Sequence, residues 1–207
     1  MDELAERVEY SKATLYHHFT SKEDLMLAVI VDHVRKRTEY FTRAALFRGG
    51  TRERMFGFGI ADRLLSRLYP LSFPLAQLVM SPSIWSKCSE ARQKTYSEAS
   101  GKCFELAIGV AEDGKQRGDF TEWSPNPEQI VWGLISISKG AHLLAEEDMF
   151  SGQLEDEFDS MSFLFDNYHY YLDGLVWQPF SRDHDYSQTE KRMIEELFSD
   201  EFSQLES

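Results

Sequence analysis

The sequence predicts an all-α protein: a helix-turn-helix head followed by a larger helical body. Three observations carry that prediction. Apolar residues recur every three or four positions along the 207 residues, and no stretch alternates apolar and polar as a half-buried strand would. Glycine and proline punctuate the ends of the periodic runs, at Gly49-Gly50, Pro70, Pro82 and Gly118, so the joints are short loops. The chain is 42% hydrophobic and 14% aromatic, enough for a core that needs no disulfide or metal staple.

Taken in order, Asp2 to Val8 reads as a short helix, and Ser11 caps a second that runs to about His18. Ser21-Lys22-Glu23-Asp24 has the form of a capping box, with Asp24 reaching back to the Ser21 amide, and opens a long third helix ending near Gly49-Gly50. Thr51 starts another that Pro70 ends, and Pro74 keeps the next piece short. Pro82 stands at a first helical position. From there Trp85, Cys88, Tyr96, Cys103, Leu106 and Val110 trace one stripe of a long helix that stops at Gly118, after a basic Lys115-Gln116-Arg117 turn. Asn126-Pro127-Glu128 begins a helix containing Trp132, Ile135 and Leu143. After Ser151-Gly152, the positions Leu154, Phe158, Met161, Phe165, Tyr168, Leu172 and Leu175 give an aromatic-rich amphipathic helix. A last helix is expected over Ser187 to Leu205, with its own capping box at Ser187 and Glu190. The expected division is a head over 1–46, a body over 47–180 and an acidic extension over 181–207.

The net charge of −13 is unevenly spread. Residues 146–207 hold three basic and seventeen acidic side chains, whereas residues 35–54 hold seven basic and two acidic. The N-terminal part is thus expected to face phosphates and the acidic part to face away. The acidic, amphipathic start has neither the basic opening nor the apolar run of a signal peptide, and no apolar run is long enough to span a bilayer. The expected compartment is the cytoplasm, without membrane contact. Cys88 and Cys103, placed on one helix roughly 22 Å apart, could not form a disulfide; they read as buried small hydrophobes, with a redox sensor as the sharper alternative. Asp166, His169 and Asp173 share one helix face at i, i+3 and i+7, yet solvated or interfacial polar residues are the commoner explanation than a metal site. No nucleophile–base–orienter set and no glycine-rich phosphate loop stands out, so neither catalysis nor a cofactor is expected.

The run Leu4-Ala5-Glu6-Arg7, then Ser11-Lys12-Ala13-Thr14-Leu15-Tyr16-His17-His18-Phe19-Thr20-Ser21-Lys22-Glu23-Asp24-Leu25, resembles the DNA-binding signature of the TetR family of transcriptional regulators. Arg117-Gly118-Asp119-Phe120 before Pro127-Glu128 resembles the link ahead of that family's last helical hairpin. Leu4, Ala5, Leu15, Phe19 and Leu25 are spaced to pack the short helices on the long one. A second helix lying in the major groove would offer Lys12, Thr14, Tyr16 and His17 to base edges and phosphates, and Lys22 at a helix N-terminus is a natural phosphate contact. The candidate DNA-binding set is Ser11, Lys12, Thr14, Tyr16, His17 and Lys22. The plainer readings are a packing aromatic for Tyr16, and one solvated and one half-buried histidine for His17-His18. Glu9 and Tyr10 stand where the family's turn usually carries glycine and a small apolar residue. A complete domain of this type also has a further helix before the motif, so a start codon assigned too late is expected, with a truncated regulator that no longer holds DNA well as the alternative.

The resemblance implies a homodimer formed by helices at about 127–146 and 154–177, and an effector pocket inside the body. Trp85, Tyr96, Cys103, Phe104, Trp132 and His142 are the candidate lining, with Lys139 as a further polar anchor; ordinary core packing is the plain alternative for each. The expected function is a ligand-responsive repressor that binds operator DNA and is released by a small apolar or aromatic effector. The alternative is a helical ligand- or partner-binding dimer that has lost DNA binding.

Overall fold

The computed structural model describes residues 6–7, 11–121, 125–146 and 163–206. Within them the architecture is all helical, with no strand. The helices are α1 (Lys12–His18), α2 (Lys22–Ala45), α3 (Thr51–Leu68), α4 (Ser72–Met80), α5 (Pro82–Trp85), α6 (Glu90–Arg117), α7 (Pro127–Glu146), α8 (Phe163–Gly174), α9 (Tyr186–Leu197) and α10 (Ser199–Glu206). Residues 6 and 7 are also helical. The rest of the expected first helix, the Glu9-Tyr10 turn and the expected start of α8 at Leu154 lie outside the described residues.

Helix α3 is the centre. It presents buried side chains on every side, including Met55, Phe56, Phe58, Ile60 and Leu64, because α2, α6, α8 and the C-terminal pair all pack on it. Its Gly59 is required: a Cβ there would lie 2.7 Å from the ring of Tyr168 on α8. Gly118 takes φ 73° and closes α6, a left-handed conformation that glycine adopts without strain. The adjoining Asp119 accepts the hydroxyl of Thr51, which in turn accepts the indole N–H of the fully buried Trp177 at 2.9 Å.

Two apolar clusters result. The larger runs through α2, α3, α6, α7, α8 and α9. The smaller lies beside the head, where Leu27, Val79 and Cys88 are buried among Met26, Leu75, Ile84, Trp85 and Tyr96.

Several expectations are corrected. The single helix from Pro82 to Gly118 is two: α5 ends at Trp85, and α6 restarts at Glu90 because the Ser89 hydroxyl accepts the Arg92 amide and Gln93 caps the carbonyls of Trp85 and Cys88. Cys88 therefore sits in the joint, not on the helix of Cys103; both thiols are buried, and burial pushes both upward in pKa. The last helix is also two. Asp185, not Ser187, caps α9; Glu190 reaches Arg63 of α3 instead of its own helix start; and the backbone breaks at Phe198, whose side chain is fully buried. Asp24 does not bond the Ser21 amide; it accepts from the Thr20 amide at 3.3 Å.

The stretch 181–206 packs on the body. Met193 is fully buried against Gly57 of α3. Arg43 of α2 donates to the Leu197 carbonyl at 2.6 Å and to Glu201 at 2.5 Å, with its guanidinium against the rings of Tyr40 and Phe198. This accounts for the charge asymmetry. Four of the six arginines at 35–54 are paired with acids of the body and are not free to face phosphates: Arg37 with Asp62, Arg43 with Glu201, Arg52 with Asp173, and Arg54 with Asp113.

Candidate nucleic-acid interface and internal cavities

Helix α1 is short and held at both ends. The Ser11 hydroxyl accepts the Thr14 amide at 3.0 Å and lies 2.7 Å from the Thr14 hydroxyl, so these two side chains are engaged with each other at the cap. At the other end Phe19 is extended and the chain passes to Ser21, whose hydroxyl accepts the Asp24 amide at 2.9 Å and opens α2. Between the caps Leu15 is buried, and Phe19 is half-buried with the Arg92 guanidinium over its ring.

Of the candidate DNA-contacting side chains, Tyr16 is 48% exposed and Ser11, His17 and Lys22 are exposed, while Thr14 is half-buried. The side chain of Lys12 is outside the described residues. His18 is exposed too, edge-on to His17 at 5.3 Å, which corrects the expectation that it is half-buried. Ala13, Tyr16 and His17 are all exposed and follow i, i+3, i+4, so α1 turns one face outward. Lys22 adjoins it on the first turn of α2.

The head is joined to the body through Asp24, 2% exposed on α2. Its carboxylate accepts the Ser89 amide at 3.0 Å and the Ser89 hydroxyl at 2.7 Å as well as the Thr20 amide, with Arg92 4.0 Å away. Burial alone would raise its pKa, but the Ser89 hydroxyl, the two amides and Arg92 outweigh burial and hold it below the ordinary carboxylate value. Ser21 donates to the Lys87 carbonyl at 3.0 Å alongside. One acid thus ties α1, α2 and the start of α6 together. Sequence reading assigned Asp24 only to local capping, since its partner Ser89 is remote in the chain.

Here the chain can be compared with known proteins. Residues 1–29 match the family model for bacterial regulatory proteins of the tetR family, a span that ends on α2 just beyond the Asp24 tie. The head of the chain is thus similar to the DNA-binding segment of tetR-family regulators. That match supports DNA binding and transcriptional regulation, and the all-α architecture agrees with it. No curated protein and no solved structure matches it. No helix among the described residues is long and apolar enough to cross a membrane.

Behind the TetR-type head, the body holds two adjoining cavities, of about 140 and 130 Å³. Tyr96, Cys103, Phe104 and Trp132 come together on the first, beside Phe41 of α2 and Phe58 of α3. His142 lines the second, stacked on Phe73 at 4.5 Å, and Lys139 lines both. Trp85 lines neither; it packs edge-on against Tyr96 in the small cluster. Residues that sequence reading missed form the wall between the cavities: Arg37 donates to Asp62 at 2.7 Å, Asp62 accepts the Ser138 hydroxyl at 3.2 Å, and the buried Tyr168 lines the first cavity beside them. Arg37, Asp62 and Ser138 come from three helices, with Tyr168 of a fourth beside them, so no local pattern announces them. Of the residues weighed for a metal, Asp173 pairs with Arg52 and Ser181, and the His169 ring packs between Phe56 and Tyr186.

Proposed function

We propose that the protein is a homodimeric repressor whose grip on operator DNA is released by a small, apolar or aromatic effector bound in the body. The observation that carries this reading is the continuity of α2. This single helix of 24 residues, about 36 Å long, begins beneath α1 and supplies Val34, Arg37 and Phe41 to the first cavity. A ligand that displaces the cavity wall on α2 also displaces the helix that carries the head. In a dimer, that changes the separation of two heads that must meet half-sites about 34–36 Å apart.

Two features support a dimer through α7 and α8. Trp132 (57% exposed), Leu143 and Leu144 lie on the outer side of α7, and Phe163 and Tyr170 (72% exposed) on the outer side of α8. The two helices are clasped by Tyr171 so tightly over Gly133 that a Cβ there would collide with the tyrosine oxygen. An apolar area of this kind on one rigid pair of helices is best buried by a second copy of itself.

In this reading Tyr16 and His17 meet base edges, Ser11, Lys12, Thr14 and Lys22 position the helix on phosphates, and Tyr96, Cys103, Phe104 and Trp132 hold the effector, with His142 on the adjoining cavity. The test is binding of the full chain, with and without an N-terminal extension, to DNA upstream of its own gene across a salt series. We expect affinity to fall steeply with salt, and Lys22→Ala to weaken binding to all sequences and to lower the salt slope by about 1. Absence of binding by either form would favour a ligand- or partner-binding dimer without a DNA role.

A further inference from the structure

The two cavities share one wall, and that wall carries excess positive charge. It is built from Arg37 of α2, Asp62 of α3, and Ser138 with Lys139 of α7. Among the described residues Asp62 is the one carboxylate that lines either cavity, and it is already engaged by Arg37 and Ser138. The cations are less fully used. Arg37 donates from Nη2 to Asp62, while its Nε is buried without an acceptor. Its side chain nevertheless keeps 37% of its surface accessible and lines both cavities, so a ligand in either lies against it. The nearby His33 and His142 do not add charge at neutral pH, because burial holds both below the ordinary histidine value.

The rest of the first cavity is of opposite character. Phe41, Phe58, Phe104 and Trp132 give it aromatic sides, and its 140 Å³ is close to the roughly 150 Å³ that accepts a benzene ring. A ligand that fits must therefore be ring-sized and apolar over most of its surface, with one group that answers the charged wall. A cationic group would meet Arg37 and Lys139 with no free carboxylate to pair with. A neutral ligand would leave the charge of Arg37 and Lys139 without a counter-charge as it displaced water from them. A carboxylate matches the planar fork of Arg37 and is further favoured by Lys139.

We propose that the effector is a small aromatic carboxylate, its ring in the first cavity and its carboxylate on Arg37 and Lys139. This rests on the effector reading above and names its chemistry. It also gives the ligand a lever. The incoming carboxylate competes with Asp62 for Arg37, so binding loosens the tie between α2 and α3 at the point where α2 lines the cavity.

The test is calorimetric titration of the full chain with benzoate, phenylacetate and 3-phenylpropionate, each beside its primary amide and the amine of matching length. We expect at least one acid to bind about tenfold or more tightly than its amide and its amine. Arg37→Gln should erase that preference while amide binding persists, and Arg37→Lys should restore part of it. Should Arg37→Gln fail to fold, Lys139→Gln on the exposed rim should still lower acid affinity severalfold without changing the amide. An amide or amine that equals or exceeds its acid throughout, or an acid preference that survives these substitutions, overturns the proposal and leaves the effector reading standing. Binding by none of the three charge classes counts against the effector reading itself, and the proposal falls with it.

Discussion

The two ends of α2 are secured by different chemistry. The body end lies in a continuous apolar core: Tyr40, Phe41 and Ala44 are buried against Phe58, Met193 and Phe198, with Arg43 locked to the C-terminal pair. The head end has only a small cluster around Leu27, and its fixed point is the Asp24 carboxylate on Ser89, Thr20 and Arg92. Apolar burial is strong and non-directional, whereas a buried polar tie is directional and lost in one step when one partner leaves. The body end is thus built to stay in place and the head end to be oriented. The proposed function needs that division, since the head would be aimed at DNA without being welded to the core.

The largest effect is expected where the apolar end is hollowed out. Met193 is fully buried, with its sulfur 3.0 Å from where a Cβ on Gly57 would sit. Met193→Ala should cost about 2–5 kcal/mol, the usual range for emptying a core site. It should lower the urea midpoint of the whole chain with little change in slope. Per folded molecule, DNA affinity should hold. A loss under about 1 kcal/mol, smaller than typical core truncations, would mean that α9 is an appendage and not part of the core.

A smaller and more local effect is expected at the polar end. Asp24→Ala leaves the Ser89 and Thr20 amides without their acceptor, at a cost of about 1–3 kcal/mol. Amide exchange should quicken across residues 11–27 and 86–92 and stay slow across 55–64, while DNA affinity falls. Asp24→Asn, which keeps an acceptor oxygen, should do less. A uniform loosening of the whole chain would break the distinction between the two ends.

What could be read from the sequence divides along the same line. The caps at Ser11, Ser21 and Gly118 and the start at Pro127 were legible, because each is a signal a few residues long. Tyr96 and Cys103 were legible as one stripe from helical spacing, whereas Phe104 was a candidate only through the family resemblance. Arg37, Asp62, Ser138 and Tyr168 were not legible, since the wall is assembled from helices far apart in the chain. The Asp24–Ser89 tie hid for the same reason, and it also supplied the cap that splits one expected helix into α5 and α6. The basic stretch misled because four of its arginines are neutralised by Asp62, Asp113, Asp173 and Glu201, none of them within the stretch itself.

Mild acid should separate the two ends with the smallest effect of all. His142 and His169, packed in the body, have pKa values lowered first by burial; for His142 Arg37 adds to the fall and Asp62 opposes it, and for His169 Arg52 adds to it while Asp173 and Asp166 oppose. A histidine with a depressed folded value takes up its proton more readily when unfolded. Its stabilising contribution is full above about pH 6.5, the unfolded value, and is lost as pH falls through the folded one. Asp24 is likewise depressed, but from a carboxylate value near 3.9, so the head tie keeps its full contribution down to about pH 4. Between pH 7 and 5, chemical denaturation should therefore report a modest loss that His142→Gln or His169→Gln reduces and Asp24→Asn leaves unaltered. Amide exchange at residues 20–24 and 89, corrected for intrinsic rates, should rise no more than the global loss requires until the pH drops below about 4. Early release of those amides, between pH 7 and 5, would mean that the head is held by a group other than Asp24.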